Sequence, residues 1–178
     1  MLGGKDNYEA DRKVVEMLRT VAPEAPLTGR INREFGKRAA RFIAEQGVKQ
    51  FIDLGSGIPT TPPSVHEAVR SVEPSARVVY VDHDPVVVAH SGALRSVEPG
   101  LITILADVRE PGVILDHPDL KALINFDEPV GVTFFSVLDV VEDSYDPVGI
   151  AGRFAERMAP GSYLGISHTF PRPATRTR

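Results

Sequence analysis

The chain has 178 residues, 42% of them hydrophobic and 25% charged, and its formal net charge is −4 at pH 7. That length accommodates one domain with a substantial core, and the acidic balance argues against a nucleic-acid partner. Cysteine is absent, which excludes disulfides, thiolate metal sites and a cysteine nucleophile. No apolar run approaches the roughly 18 residues of a membrane span, and the first residues lack a signal-peptide pattern. We therefore expect a cytoplasmic protein with no membrane partner.

Two helices are predicted before the first strand. The first begins near Glu9 and ends at Pro23 and Pro26, and its apolar residues share one face at helical spacing: Val14, Val15, Leu18 and Val21. The second runs from about residue 28 to residue 46, with Gly47 as its C-terminal cap. Its apolar stripe consists of Ile31, Phe35, Phe42 and Ile43. We expect residues 1–47 to form a helical cap over the rest of the chain.

Strand and helix patterns alternate from residue 48 onward. Apolar runs predict five buried strands, at residues 51–54, 77–82, 101–106, 130–137 and 163–167. Helix starts are marked by a Ser64/Glu67 capping box and by Asp-Pro pairs at Asp84 and Asp146, and a short helix is predicted near residues 119–124. The alternation predicts an α/β fold with a Rossmann-like, doubly wound, mostly parallel sheet over residues 48–170. The basic residues 171–178 are predicted to be a flexible tail.

A glycine-containing turn, Asp53-Leu-Gly-Ser-Gly57, follows the first strand. Ligands of open α/β sheets bind beyond the carboxyl ends of the strands, and glycines there let the backbone approach them closely. Asp82 follows Gly57 at close to the spacing of roughly 20 residues at which an acid accepts the hydroxyls of an adenosine ribose. Asp107 ends the third strand in the same way, whereas Asp84 precedes a proline and fits a helix cap better. The pattern predicts a pocket for an adenosine compound.

Two phosphate-binding motifs are not matched at this turn. The dinucleotide fingerprint Gly-x-Gly-x-x-Gly requires a third glycine where this chain has Thr60, preceded by Pro59. An ATP-binding P-loop requires Gly-Lys-Ser/Thr after the glycines, and that triplet does not follow them. Both departures argue against a pyrophosphate or triphosphate ligand.

Three motifs resemble those of class I S-adenosylmethionine-dependent methyltransferases: residues 53–57, Asp82, and residues 106–108. Within that superfamily, the chain is similar to the actinobacterial DUF574 family, or S-adenosylmethionine-dependent methyltransferase 19 family, at residues 2–8, 32–33, 53–59 and 81–86. The resemblance covers nearly the whole chain. It implies the class I methyltransferase fold, S-adenosyl-L-methionine as cofactor, S-adenosyl-L-homocysteine as product and a small-molecule acceptor.

The resemblance also implies binding roles. Residues facing the methionine and ribose part of the cofactor would be Asp53, Gly55, Ser56, Gly57 and Ser136. Those at the ribose hydroxyls and the adenine would be Asp82, His83, Asp107 and Val108. Those folding over the site from the N-terminal side would be Lys5, Asn7 and Tyr8. Arg33 would pair with the cofactor carboxylate or, equally, form a surface salt bridge with a neighbouring helix.

A general base is needed only if the acceptor loses a proton during methyl transfer. The candidates are Asp139 after the fourth strand, His168 after the fifth strand, and Tyr8. A capping role fits Asp139 equally well, and a lone histidine such as His168 is more often structural or exposed. No metal site is predicted, because the remaining histidines have no ligand-like spacing.

The predicted sheet is shorter than that of the family. The superfamily sheet usually has seven strands and five are predicted here, and relatives carry further residues upstream of Gly3. We expect a truncated form without the last hairpin, which often shapes the acceptor site and can support a homodimer. The leading interpretation is a methyltransferase with a small-molecule acceptor. The alternatives are a non-catalytic module that binds S-adenosylmethionine or a nucleoside, and a nicotinamide-dependent oxidoreductase, against which Thr60 counts.

Overall fold

A computed structural model describes residues 9–58, 63–95 and 98–169 of the chain. Its strands are β1 (Gln50–Leu54), β2 (Arg77–Asp82), β3 (Leu101–Leu105), β4 (Gly131–Phe135) and β5 (Tyr163–Ser167). All neighbouring strands are parallel, in the order β3-β2-β1-β4-β5. The predicted α/β fold class is confirmed. The fourth strand is shorter than predicted, because Ser136 has a φ of 54° and ends the extended conformation.

Helices pack on both sides of this sheet. In the described residues they are α1 (Glu9–Val21), α2 (Ala25–Glu45), α3 (Val65–Arg70), α4 (Pro85–Arg95), α5 (Pro111–Leu115), α6 (Pro118–Leu123) and α7 (Pro147–Ala155). The Ser64/Glu67 capping box is present at α3, and the Asp146 side chain caps α7 by accepting from Gly149 N at 3.0 Å. Helix α5 was not predicted, because five residues are too few to show helical periodicity.

The alternation of side chains along β1 assigns its residues to the two faces of the sheet. Ile52 and Leu54 belong to a core that includes residues of α5, α6 and α7. Phe51 belongs to a second core with Val69 of α3 and with Ala40, Ile43 and Ala44 of α2. Asp53 alternates onto the same face as Phe51, so the acid of the glycine-containing turn lies on the α2 side of the sheet.

Helix α2 differs from its prediction. Pro26 was expected to end the first helix, but it lies in the first turn of α2, where a missing backbone N–H is tolerated. Of the predicted apolar stripe, Ile43 is buried, whereas Ile31, Phe35 and Phe42 are 57%, 39% and 54% exposed. The buried face carries Gly36, Lys37, Ala40, Ile43 and Ala44 instead. Small residues there let the helix axis come close to the ends of β4 and β5.

The N-terminal helices are not equally attached to the sheet. Helix α2 packs against α3, β4 and β5, while α1 contacts α2. The division of the chain at residue 47 stays a prediction, and the predicted tail at 171–178 lies outside the described residues. In the part of the chain that the structure describes, no helix combines the length and apolar character needed to cross a membrane.

The close approach of α2 predicts opposite effects for two helical glycine substitutions. A Cβ on Gly36 would lie 2.8 Å from Phe135 Cδ2, whereas a Cβ on Gly152 of α7 would meet nothing within 4 Å. We expect Gly36→Ala to lower the free energy of unfolding by about 1–3 kcal/mol through overpacking. Gly152→Ala should raise it by about 0.5–1 kcal/mol, since alanine favours a helix. Urea unfolding measures both, and a stabilising Gly36→Ala would contradict the packing described.

Candidate cofactor site

The candidate site lies where the strand order changes direction. Strand β1 pairs with β2 on one side and with β4 on the other, and crevices at such positions are the usual ligand sites of open α/β sheets. A cavity of about 240 Å³ lies there. It is lined by residues of α2, of the turn after β1, of the start of α3 and of the end of β4: Gly29, Asn32, Arg33, Gly36, Lys37, Asp53, Gly55, Ser56, Gly57, Pro63, Ser64, Val65, Phe135 and Ser136.

The turn after β1 needs both of its glycines. Gly55 and Gly57 have φ values of 66° and 62°, in the left-handed region. A Cβ on Gly55 would overlap the Val137 side chain, whereas one on Gly57 would meet only Arg33, at 3.8 Å. Steric space and backbone conformation therefore both require glycine at position 55, and conformation alone requires it at position 57. The backbone amides of Gly55 and Ser56 both donate to Val81 O, which holds the turn against β2.

Asp82 connects this turn to the end of β2. Its side chain is 7% exposed. Its Oδ2 accepts from Gly57 N at 2.9 Å, and its Oδ1 accepts from Asp84 N at 3.0 Å. Each carboxylate oxygen keeps a further lone pair for a ligand hydroxyl. Asp84 has the capping role that its Asp-Pro context predicts, because its Oδ1 accepts from Val86 N at 2.8 Å.

A threonine on the neighbouring strand holds the Asp53 carboxyl. Thr133 lies directly opposite Asp53 in the β1–β4 pairing, and its Oγ1 donates to Asp53 Oδ1 at 2.7 Å. Both residues are buried. Sequence reasoning missed Thr133, although it is the single polar residue inside an otherwise apolar strand, because the β1–β4 register was unknown.

Helix α2 supplies the wall that faces the glycine-containing turn. Arg33, predicted for the site, lines the cavity with its guanidinium near Gly57. Lys37 lies one helical turn further along and also lines the cavity. Sequence reasoning missed Lys37, because the apolar stripe predicted for α2 placed the buried face on other residues.

A polar network joins the ends of β4 and β5 to α2. Ser136 has the left-handed conformation that non-glycine residues rarely adopt. Its backbone N–H donates to Ser167 Oγ at 3.0 Å, and the Ser167 hydroxyl donates to Asn32 Oδ1. The network holds Ser136 in the cavity wall, and its predicted contact with the cofactor stays a prediction.

A second groove, of about 430 Å³, shares Asn32 and Ser136 with this cavity and is also lined by His168. His168 Nδ1 lies 3.4 Å from Asp139 Oδ1 and 3.0 Å from Thr169 O. Asp139 Oδ2 accepts from the backbone N–H and the hydroxyl of Thr169. The structure therefore brings together two of the three predicted catalytic candidates, while Tyr8 lies outside the described residues.

Other predicted residues do not line the cavity. Arg109 bonds to both oxygens of Asp107, and these bonds hold the pKa of the Asp107 carboxyl below its ordinary value of 3.8. His83 is 74% exposed at its side chain, with Nδ1 3.6 Å from Asp82 Oδ1. Val108 packs against the apolar core on the α5–α7 side. Lys5 and Asn7 lie outside the described residues, so their predicted roles stay predictions.

One polar atom that lines the cavity is available to a ligand. Ser56 Oγ is buried and has no hydrogen-bond partner within the described ranges, which is costly unless a ligand completes it. The cations of α2 and the acid Asp53 line the cavity. Asp82 does not line it but lies at its edge, bonded to Gly57, and has spare lone pairs for a ligand hydroxyl. Together these groups suit a hydroxylated, zwitterionic ligand. These residues fit S-adenosylmethionine.

The Asp53 hydrogen bond predicts a difference between two threonine-to-valine substitutions. Thr133→Val removes one hydrogen bond to a buried carboxyl, so the free energy of unfolding should fall by about 1.5–3 kcal/mol. Thr103 on β3 is the control, since its hydroxyl is buried and makes no hydrogen bond to any described residue. Thr103→Val should leave stability unchanged or raise it in the same urea titration. An equal loss of unfolding free energy in the two variants would show that the Thr133–Asp53 hydrogen bond does not contribute to stability.

Comparison with known proteins identifies the family. A family model described as S-adenosyl methyltransferase matches residues 1–177. A crystal structure from Thermobifida fusca, provisionally assigned as a methyltransferase, is 41% identical with a TM-score of 0.88, over 93% of this chain and 62% of that one. A DUF574 family protein from Streptomyces avermitilis is 40% identical with a TM-score of 0.86, over 93% of this chain and 64% of that one.

A more distant structure shares the fold alone. The methyltransferase CalH, crystallised with S-adenosylhomocysteine, is 12% identical with a TM-score of 0.53, over 88% of this chain and 43% of that one. Comparison with curated proteins gives no match. The chain spans less than two thirds of the length of its relatives from T. fusca and S. avermitilis. From the match over residues 1–177 and these two relatives, the chain belongs to the S-adenosyl methyltransferase family that includes DUF574 proteins.

Proposed function

We propose that the chain binds S-adenosylmethionine in the cavity between β1 and β4 and transfers the methyl group to a small-molecule acceptor. The observation that carries this proposal is the buried carboxylate of Asp82, bonded to the backbone of Gly57 at the edge of the cavity. An acid in that position accepts the hydroxyls of an adenosine ribose. Family membership supports the same cofactor.

The cavity suggests how the cofactor lies. Its ribose hydroxyls meet Asp82, and its methionyl end points toward Asp53, Arg33 and Ser136, which line the cavity. The adenine lies toward His83, Asp107 and Val108. Arg109 would hold Asp107 ionised as an acceptor for an amino group, because it lowers the pKa of that carboxyl. Bound in this way, the cofactor supplies a sulfonium methyl group for an in-line displacement.

The second groove is proposed to receive the acceptor. It shares Asn32 and Ser136 with the cofactor cavity, and its other wall includes the apolar residues Ile31, Phe35 and Ile166. Holding the acceptor in contact with the methyl group supplies the largest part of catalysis, since positioning is worth about 7–11 kcal/mol. The carbonyl of Thr169 can only accept, so Nδ1 of a neutral His168 carries the proton and Nε2 is the basic nitrogen. Nε2 then serves as general base, with Asp139 anchoring this segment.

The activity is tested by measuring S-adenosylhomocysteine released from S-adenosylmethionine in the presence of pools of small apolar alcohols, phenols and amines. We expect release above the acceptor-free rate, reduced about 10²–10⁴-fold by His168→Asn where the acceptor loses a proton. Cofactor binding without turnover on any pool would favour the non-catalytic module. Tighter binding of NADH than of S-adenosylmethionine would favour the oxidoreductase.

The remaining expectations about partners belong to the same proposal. Action on a small molecule in the cytoplasm, without nucleic acid, agrees with a net charge of −4 and the absence of cysteine. A homodimer is proposed as well, and sedimentation of the purified chain distinguishes it from a monomer.

Substitutions of Asp82 and Asp84 should differ in their effect on cofactor binding. Asp82→Ala removes the proposed ribose acceptor, so the Kd for S-adenosylhomocysteine should rise by about 10- to 150-fold, corresponding to about 1.5–3 kcal/mol. Asp84→Ala removes only the cap of α4 and should cost about 1 kcal/mol of stability without changing the Kd. Fluorescence or calorimetric titration measures both. An unchanged Kd in Asp82→Ala would remove Asp82 from the site.

A further inference from the structure

Lys37 is a buried cation in the wall of the cofactor cavity. The residue is 7% exposed and lines the same cavity as Asp53 and Gly57. Burying an ammonium group is costly unless it is well paired. Within the described residues its ammonium pairs with Glu34 Oε1 at 2.7 Å, and the Glu34 side chain is 60% exposed. An ion pair with so exposed a carboxylate contributes little, so Glu34 alone does not account for a lysine at this position.

The cavity concentrates positive charge along one face of α2. Arg33 and Lys37 are four residues apart, and like charges at that spacing destabilise a helix. Both line the cavity, whereas Glu34 does not. The Lys37 hydrogen bond is the main cause that holds the pKa of the Glu34 carboxyl below its ordinary value of 4.5. Among the residues lining the cavity, these two cations face a single acid, Asp53.

This distribution is complementary to one end of the proposed cofactor. The methionyl group carries an α-carboxylate and an α-ammonium. The acid Asp53, held by Thr133, suits the ammonium, and the cations of α2 suit the carboxylate. Because Gly36 lets α2 approach Phe135 closely, the Lys37 side chain reaches the cavity from a helix packed on the sheet.

We propose that Lys37 binds the α-carboxylate of the methionyl end and makes the site select the carboxylated cofactor over its decarboxylated form. This inference rests on the proposed function, because it assumes that S-adenosylmethionine occupies the cavity. Arg33 assists from the preceding helical turn, beside Gly57. Lys37 is a specificity-determining residue: without its charge, the site retains the nucleoside contacts and loses recognition of the carboxylate.

The test compares S-adenosylmethionine with decarboxylated S-adenosylmethionine, which lacks only the carboxylate, by calorimetric titration. The wild-type chain should prefer the carboxylated form by about 10- to 100-fold, as expected for a charged hydrogen bond. In Lys37→Met that preference should largely disappear, while the Kd of the decarboxylated form stays within a few-fold of the wild-type value. Should Lys37→Met fail to fold, Lys37→Gln keeps a polar side chain and tests the same loss.

Glu34→Gln is the matched control, because it breaks the ion pair and leaves the Lys37 ammonium in place. Its preference for the carboxylated form should equal that of the wild type. If Lys37 only supports the helix, Lys37→Met will instead weaken the binding of both ligands equally, or will leave the binding of both unchanged. A wild-type chain that binds both ligands equally overturns this inference and leaves the proposed cofactor intact. A wild-type chain that binds neither overturns the proposed function itself.

Discussion

The geometry of the site depends on two hydrogen bonds that the Asp82 carboxylate accepts. It accepts one hydrogen bond from the turn after β1, through Gly57, and one from the turn after β2, through Asp84. Two loops that are distant in sequence are thereby held at one edge of the sheet. Because this carboxylate is buried and keeps spare lone pairs, it both shapes the glycine-containing turn and remains able to accept from a ligand.

The opposite wall of the site depends on a different constraint, the close packing of α2. Gly36, Ala40 and Ala44 bring the helix near the ends of β4 and β5, and Asn32 then reaches the network of Ser167 and Ser136. The same packing turns the cations of α2 toward the cavity. The helix therefore contributes both to the core and to the cavity wall, and its buried face combines small and apolar residues with one lysine.

Sequence reasoning predicted the parts of this structure that depend on local pattern. Apolar runs located the strands of the sheet, and the Asp-Pro pair at Asp84 correctly predicted a helix cap. Prediction from the sequence failed for features that depend on long-range packing. The apolar residues Ile31, Phe35 and Phe42 suggested the wrong buried face of α2, so Lys37 was missed. Thr133 required the register of β1 with β4, and the bonds of Asp107 to Arg109 required side-chain geometry.

We propose above that the cavity between β1 and β4 binds S-adenosylmethionine. Isothermal titration of the wild-type chain with S-adenosylmethionine, S-adenosylhomocysteine and NADH is the measurement that decides this proposal. We expect micromolar binding of the first two ligands and no binding of NADH. Tighter binding of NADH, or no heat from either sulfur-containing ligand with a folded chain, would contradict it.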